Sequence, residues 1–224
     1  MTRYRLNYLA RRNPDLSHPA FVARWRQHGR LAASLKEWST VRRYIQCEVL
    51  DDGRPRQYDG AATVEYHSLE ARNANRGASA YHRVLQEDER EVFESLVSNF
   101  SFIGVHEVLD GSGMGPFKVI RYLKRTAGLS QAAFEHCWRG RHVADIVATA
   151  GAAVGYAQNL PIAPERAEGW GLSVDGSEEI WFASQAGAVA FCNSEALREH
   201  EKRFAEHFET TALIVADEVV LHDR

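Results

Sequence analysis

Phe21-Val-Ala-Arg-Trp25-Arg26 returns later in the chain as Phe134-Glu-His-Cys-Trp138-Arg139, and this pair of stretches decides how the rest is read. Upstream of each lies a strand-like run, LNYLARR from Leu6 and IRYLKRT from Ile120, with the Tyr-Leu pairs Tyr8-Leu9 and Tyr122-Leu123. Downstream, RYIQ at Arg43–Gln46 answers GYAQ at Gly155–Gln158. Asp59-Gly60 opens a run that ends at Ser68, and Asp175-Gly176 opens one of equal length that ends at Ser184. Finally HEVL at His106–Leu109 answers DEVVL at Asp217–Leu221. Markers repeated in one order imply a tandem duplication.

Each copy reads alike. A short alternating strand leads to a helix, for which Ser17 and Ser130 are N-cap or first-turn residues. Two strands follow, joined by a polar loop, DDGRPRQYDG in one copy and PIAPERAEGWGLSVDG in the other. A charged helix then precedes a β-branched closing strand, clearest as TALIVADEVVLHD. The order βαββαβ is the ferredoxin-like unit, so the expected class is α+β with two such units in tandem. The Gly- and Ser-rich linker DGSGMGP at Asp110–Pro116 separates residues 1–110 from 117–224. An open four-stranded sheet leaves one face bare, and packing the two units sheet to sheet buries both faces.

Of the 224 residues 45% are hydrophobic and 25% charged, as in ordinary globular proteins, and the net charge is −3. Basic residues are interleaved with acids, which argues against nucleic acid as a partner. No apolar stretch approaches the roughly 20 residues that span a bilayer, and MTRYRLNYLARR lacks a signal-peptide core. The expectation is a cytoplasmic protein with no membrane partner. Cys47, Cys137 and Cys192 are widely spaced, and the histidines form no HExxH or similar ligand pattern, so neither a disulfide nor a metal site is expected.

The chemistry-bearing candidates lie on the first helix of each copy. Phe21, Trp25 and His28 share one face, continued by Leu35 and Trp38. Phe134, Trp138 and His142 do the same, continued by Ile146 and Thr149, and eleven residues from Phe134 the same face returns at Asp145. A carboxylate three residues from an imidazole on a buried face can fix its tautomer and raise its basicity, as for a general base. The competing reading makes His28 and His142 core histidines satisfied by backbone carbonyls, and Phe134 and Trp138 plain core. Asp145 weighs toward function, because a carboxylate on an apolar face needs a partner. His28 has Ala32 at the equivalent position, so the second copy is the better site. Strand tyrosines Tyr8, Tyr44, Tyr122 and Tyr156 can serve as proton donors or as packing. The run EDEREVFE at Glu87–Glu94 reads as a solvated helix face.

The motif F-x-x-x-W-R-x-x-H at Phe134–His142, G-Y-A-Q-N at Gly155–Asn159, D-G-x-x-E-x-W-F at Asp175–Phe182 and S-E-A-L at Ser194–Leu197 resembles the EthD-type domain of the dimeric α+β barrel superfamily. The first copy departs from it: His28 comes one position early after Trp25, and Thr63 stands where the second has Glu179. The resemblance implies an intramolecular dimeric α+β barrel with a cavity between each sheet and its helices. It also implies a small-molecule enzyme, of dehydratase, cyclase or monooxygenase type, or a binding protein of a degradation pathway. The resulting expectation is histidine acid/base catalysis (elimination, addition or cyclisation) on a hydrophobic aromatic or polyketide-like substrate. His142, Asp145 and His28 are its catalytic candidates, and Phe134, Trp138, Tyr122, Tyr156 and Trp181 line the pocket. No cofactor is expected. Heme is the alternative, since the superfamily includes heme-binding members, and a homodimer is an open option.

Overall fold

The computed structural model describes residues 2–76, 79–162 and 172–223, so the middle of the second polar loop lies outside the described residues. The first half runs β1 (Arg3–Ala10), α1 (His18–Ser34), β2 (Val41–Glu48), β3 (Gly60–Tyr66), α2 (Leu69–Arg76), α3 (Ser79–Val92) and β4 (Ser101–Gly111). The second runs β5 (Phe117–Arg125), α4 (Gln131–Arg139), α5 (Arg141–Ala150), β6 (Ala153–Pro161), β7 (Gly176–Phe182), α6 (Gln185–Cys192), α7 (Glu195–Phe204), β8 (Phe208–Asp217) and β9 (Val219–Asp223). Ser17 and Ser130 cap α1 and α4 by accepting from the amides of Ala20 and Ala133, donors that the first turn leaves open. Among the described residues no helix is long and apolar enough to cross a membrane.

The strands do not form two sheets packed face to face. All nine join one curled antiparallel sheet in the order β8-β5-β7-β6-β4-β1-β3-β2-β9. The closing strands make this possible by reaching from one half into the other. β4 pairs with β1 and also with β6, from Gly104 opposite Pro161 to Gly111 opposite Gly155. The expected single strand TALIVADEVVLHD is interrupted at Glu218: β8 pairs with β5, and β9 turns to pair with β2. β2 then meets β8 at the Val49–Ala216 bridge, where Leu50 N donates to Val215 O at 2.8 Å. The edge groups of β4 and β6, and part of those of β2 and β8, are thereby paired.

The curl creates an inner face, packed with Leu9, Ile45, Phe102, Ile120, Tyr122 and Ile214, and an outer face covered by helices. Helix and sheet approach closely at one equivalent point in each half. A Cβ at Gly60 would lie 2.6 Å from the Trp25 ring, and one at Gly176 would lie 2.5 Å from the Trp138 ring. The Asp-Gly pairs thus sit where the indoles need bare backbone.

That contact also corrects the strand alignment. Ala10 lies opposite Gly60 and Leu123 opposite Gly176, and their carbonyls accept from the amides of Asp59 and Asp175. The counterpart of Tyr8 is therefore Arg121, not Tyr122. Shifting a strand by one residue moves every side chain to the other face, which puts Tyr8 under the helices and Tyr122 inside the barrel.

Candidate functional site

β7 reads Gly-Ser-Glu-Glu-Ile-Trp-Phe, and all of it is buried. Strand alternation sends its two adjacent carboxylates to opposite faces. Glu178 turns toward the helices and Glu179 toward the barrel interior, and each meets a buried cation from β5.

On the outer face, four donors converge on Glu178. His142 Nε2 lies 2.7 Å from Oε2, and Tyr156 Oη and Trp138 Nε1 donate to the same oxygen at 2.7 and 3.2 Å. Arg121 Nη1 pairs with Oε1. Arg121, His142 and Glu178 are all fully buried. Burial by itself would raise the Glu178 carboxyl, but attraction to His142 and Arg121 holds it far below the usual carboxylate range. The same network pushes the Tyr156 phenol up, chiefly through burial and then the charge of Glu178. An ion cluster this dry is costly unless every charge is met, so removing any one member is expected to be severe.

The equivalent positions of the first half are uncharged. Trp25 Nε1 donates to Tyr8 Oη at 2.9 Å, and Tyr8 and Tyr44 hydroxyls lie 3.1 Å apart. Ala62 stands opposite Tyr8 as Glu178 stands opposite Arg121. Gln46 and Gln158 play matching parts, each donating to a tyrosine hydroxyl and to a tryptophan carbonyl.

Asp145 is not the partner of His142. It lies 2.6 Å from His200 Nδ1 and accepts from Arg203 at 2.8 Å, with a third of its side chain exposed. The face count from Phe134 assumed one unbroken helix, whereas Gly140 (φ −103°, ψ −104°) breaks it and turns Asp145 toward α7. The break absorbs the extra residue between Trp138 and His142, so His142 still packs edge-on against Phe204 and Phe208, as His28 does against Phe93. The rings of His142 and His200 are 4.9 Å apart, and the remaining nitrogen of each, Nδ1 and Nε2, is buried without a partner among the described residues. His28 does have a carboxylate, from the run expected to be solvated: Asp88 Oδ2 lies 2.7 Å from its Nδ1. In the same run Glu89 is buried and accepts from Val97 N at 3.0 Å.

Of the expected pocket residues, Phe134, Trp138 and Tyr156 lie on the helix-covered face. Tyr122 packs in the barrel interior, and so does Trp181, whose ring faces Lys118 and whose Nε1 donates to Glu218. There Lys118 Nζ donates to Glu179 at 2.8 Å and lies 3.1 Å from Glu218, while Arg5 pairs with Glu65 at 2.9 Å. The five residues therefore do not share a pocket.

A cavity of about 630 Å³ opens at the incomplete seam between β2 and β8. Past Leu50 the chain leaves β8, and residues 51–58 arch over it instead of pairing; the arch is tied down by Arg54 Nη2 donating to Leu213 O and Asn193 Nδ2 donating to Asp52 O, both at 3.3 Å. The opposite seam, β4 with β6, is paired from Gly104–Pro161 to Gly111–Gly155, with one bulge between Val108 and Asp110. Val49, Leu197, Ala212 and Ile214 supply apolar wall, and Asp51, Asp52, Arg54, Arg56, Arg198 and Glu201 supply charge. None of the eight sequence-predicted site residues lines this cavity. The link to Glu178 is Arg121: its Nη2 donates to Thr210 Oγ1 at 2.8 Å and lies 3.6 Å from Glu201, and both of those residues face the cavity. Glu178, Arg121, His200 and Glu201 were missed by sequence reasoning. Only Glu178 left a signal, as one of two adjacent carboxylates in a strand otherwise fit for full burial.

For a heme, the cavity wall among the described residues offers no histidine, and burial pushes its one cysteine, Cys192, up to about 12, which keeps the thiol protonated. The residues present do not fit an axially ligated heme there.

Residues 13–95 match the EthD domain family. The match falls on the first half, although the motif carrying the resemblance is fullest in the second. No curated protein sequence matches the chain. Among solved structures, an anthrone oxidase-like protein is 14% identical, covers 100% of this chain and 92% of its own, and superposes with a TM-score of 0.68. A mutant chlorite dismutase from Candidatus Nitrospira defluvii is 13% identical over 97% of this chain and 91% of its own, with a TM-score of 0.56. At such identities the likeness is one of fold, that of the dimeric α+β barrel proteins.

Proposed function

With an EthD domain in its first half and a dimeric α+β barrel around it, we propose that this protein is a small-molecule enzyme of the EthD type. We read it as two ferredoxin-like units in tandem, residues 1–110 and 117–224, with one working site at the β2–β8 seam. The reaction is a proton transfer, such as an elimination, addition or cyclisation, on an aromatic or polyketide-like compound. The observation that carries this reading is the contact between the cavity wall and a fully buried guanidinium, Arg121, which Glu178 and Thr210 hold in place.

In this reading Glu201 is the catalytic acid/base, because it is the cavity carboxylate that meets Arg121. Arg121 orients it and balances its charge. His142, Tyr156 and Trp138 position Glu178, which positions Arg121. His142 thus acts at second hand, and Asp145 and His28 take no part. The cavity volume falls in the range of about 300–1,000 Å³ common for small-molecule sites.

The test is turnover on a panel of hydroxylated aromatic ketones, followed by mass spectrometry. Glu201→Gln should lower kcat roughly a hundredfold with an unchanged melt, the usual scale for losing an acid/base group. Full activity in that variant rejects the assignment, and a product that has gained an oxygen atom moves the protein to the monooxygenases. One observation favours a second reading, a binding protein without catalysis: His142, Asp145 and His28 all stand away from the cavity wall. Saturable binding without turnover would establish it.

A further inference from the structure

The charges around the seam cavity are unevenly satisfied. Asp52 is taken up by Arg54, and Glu201 leans on Arg121. Arg56 and Arg198 make no ion pair among the described residues; their hydrogen bonds include those to the carbonyls of Val49 and Asn193, at 2.7 and 3.0 Å. Deeper in, Arg121 is fully buried, and its Nε has no hydrogen-bond partner among the described residues. Two cations at the wall and a third just behind it therefore face a space whose wall is half apolar; the wall also carries Asp51, which accepts from Gly53 N at 3.0 Å and makes no ion pair among the described residues.

We propose that the cavity selects a ligand carrying a carboxylate on an apolar ring, and that this carboxylate replaces Glu201 on Arg121. The proposal rests on the reading of the seam cavity as the binding site and adds the substrate class to it. Arg56 and Arg198 attract the anion, as the wall cations that no carboxylate pairs among the described residues. Arg121 then offers a planar fork that Glu178 and Thr210 already hold still, so little order is lost when a second carboxylate docks. The displaced Glu201 side chain, at 40% exposure, has room to turn toward the ring of the ligand. The ring meets Leu197, Ala212 and Ile214.

The experiment compares 2-naphthoate with its neutral isostere 2-naphthamide by titration calorimetry on the full chain. A charge-assisted contact corresponds to naphthoate binding at least about tenfold tighter at low salt. Glu201→Gln removes the competing carboxylate and should tighten naphthoate several-fold while leaving naphthamide unchanged. Thr211→Trp, an exposed position on the cavity wall, should abolish binding of both. Equal affinities for the two probes overturn the carboxylate inference but leave the cavity reading standing. So does a Glu201→Gln variant that fails to favour naphthoate. Binding that survives Thr211→Trp, or no binding of either probe to the parent, overturns both.

Discussion

The helix-to-sheet contacts of the two halves occupy matching positions and are built from opposite materials. Beneath Trp25 lie two tyrosine hydroxyls and a glutamine, a neutral arrangement. Beneath Trp138 lie a carboxylate, a guanidinium, an imidazole and one tyrosine. A neutral core is enough to hold this helix on this strand, since the first half does so. The ionic version is therefore more than packing requires, and it occurs in the half whose Arg121 reaches the cavity wall. Buried charge is weak evidence for stability. In the proposed function it is the support that holds Arg121 at the cavity wall.

Glu178→Ala should break the comparison most sharply. It removes the shared acceptor and leaves Arg121 and His142 together in the dry interior, at an expected cost of about 3–5 kcal/mol by urea unfolding. Adding Arg121→Tyr recreates the Tyr8–Ala62 pairing of the first half and should recover most of that loss. A double variant as unstable as the single would mean that the halves cannot exchange solutions at this position.

The halves should also differ in their response to pH. Burial pushes Glu89 on α3 up to about 7, against the hydrogen bond from Val97 N. Burial, reinforced by the charges of His142 and Arg121, pushes His200 on α7 down to about 4. The folded state holds the Glu89 proton more tightly than the unfolded chain. Its contribution is present below pH 4.5 and lost as pH rises through 7. His200 in the folded state holds its proton less tightly, so its contribution is present above pH 6.5 and lost as pH falls toward 4. Amide exchange corrected for intrinsic rates should show α3 opening first near pH 8 and α7 first near pH 4.5. Glu89→Gln should abolish the alkaline loss, up to about 3 kcal/mol. Identical opening of both helices at the two pH values would erase the distinction.

The smallest effects concern what the halves share. Gly60→Ala and Gly176→Ala each drive a methyl into an indole ring, and each should cost about 1–3 kcal/mol in thermal unfolding. Matching losses would support one architecture with two chemistries. A much larger loss at Gly176 would show that the ionic cluster also stiffens the contact above it.

The chain by itself determined the alternation of strand and helix, the serine caps and the apolar faces of Phe21-Trp25 and Phe134-Trp138, because these follow from periodicities of a few residues. Mixed α+β structure with antiparallel strands was legible in that pattern. Three things were settled only in three dimensions. One Gly140 break decided which carboxylate Asp145 and His142 each meet. One residue of strand register decided whether Tyr8 corresponds to Tyr122 or to Arg121. The cavity arose where a strand ladder stops, which no local pattern records. Each depends on groups far apart in sequence, such as His28 and Asp88 or His142 and Glu178, brought together by packing. Side-chain spacing tells which face a residue shares; what stands opposite that face is decided by register, helix breaks and the closure of the sheet.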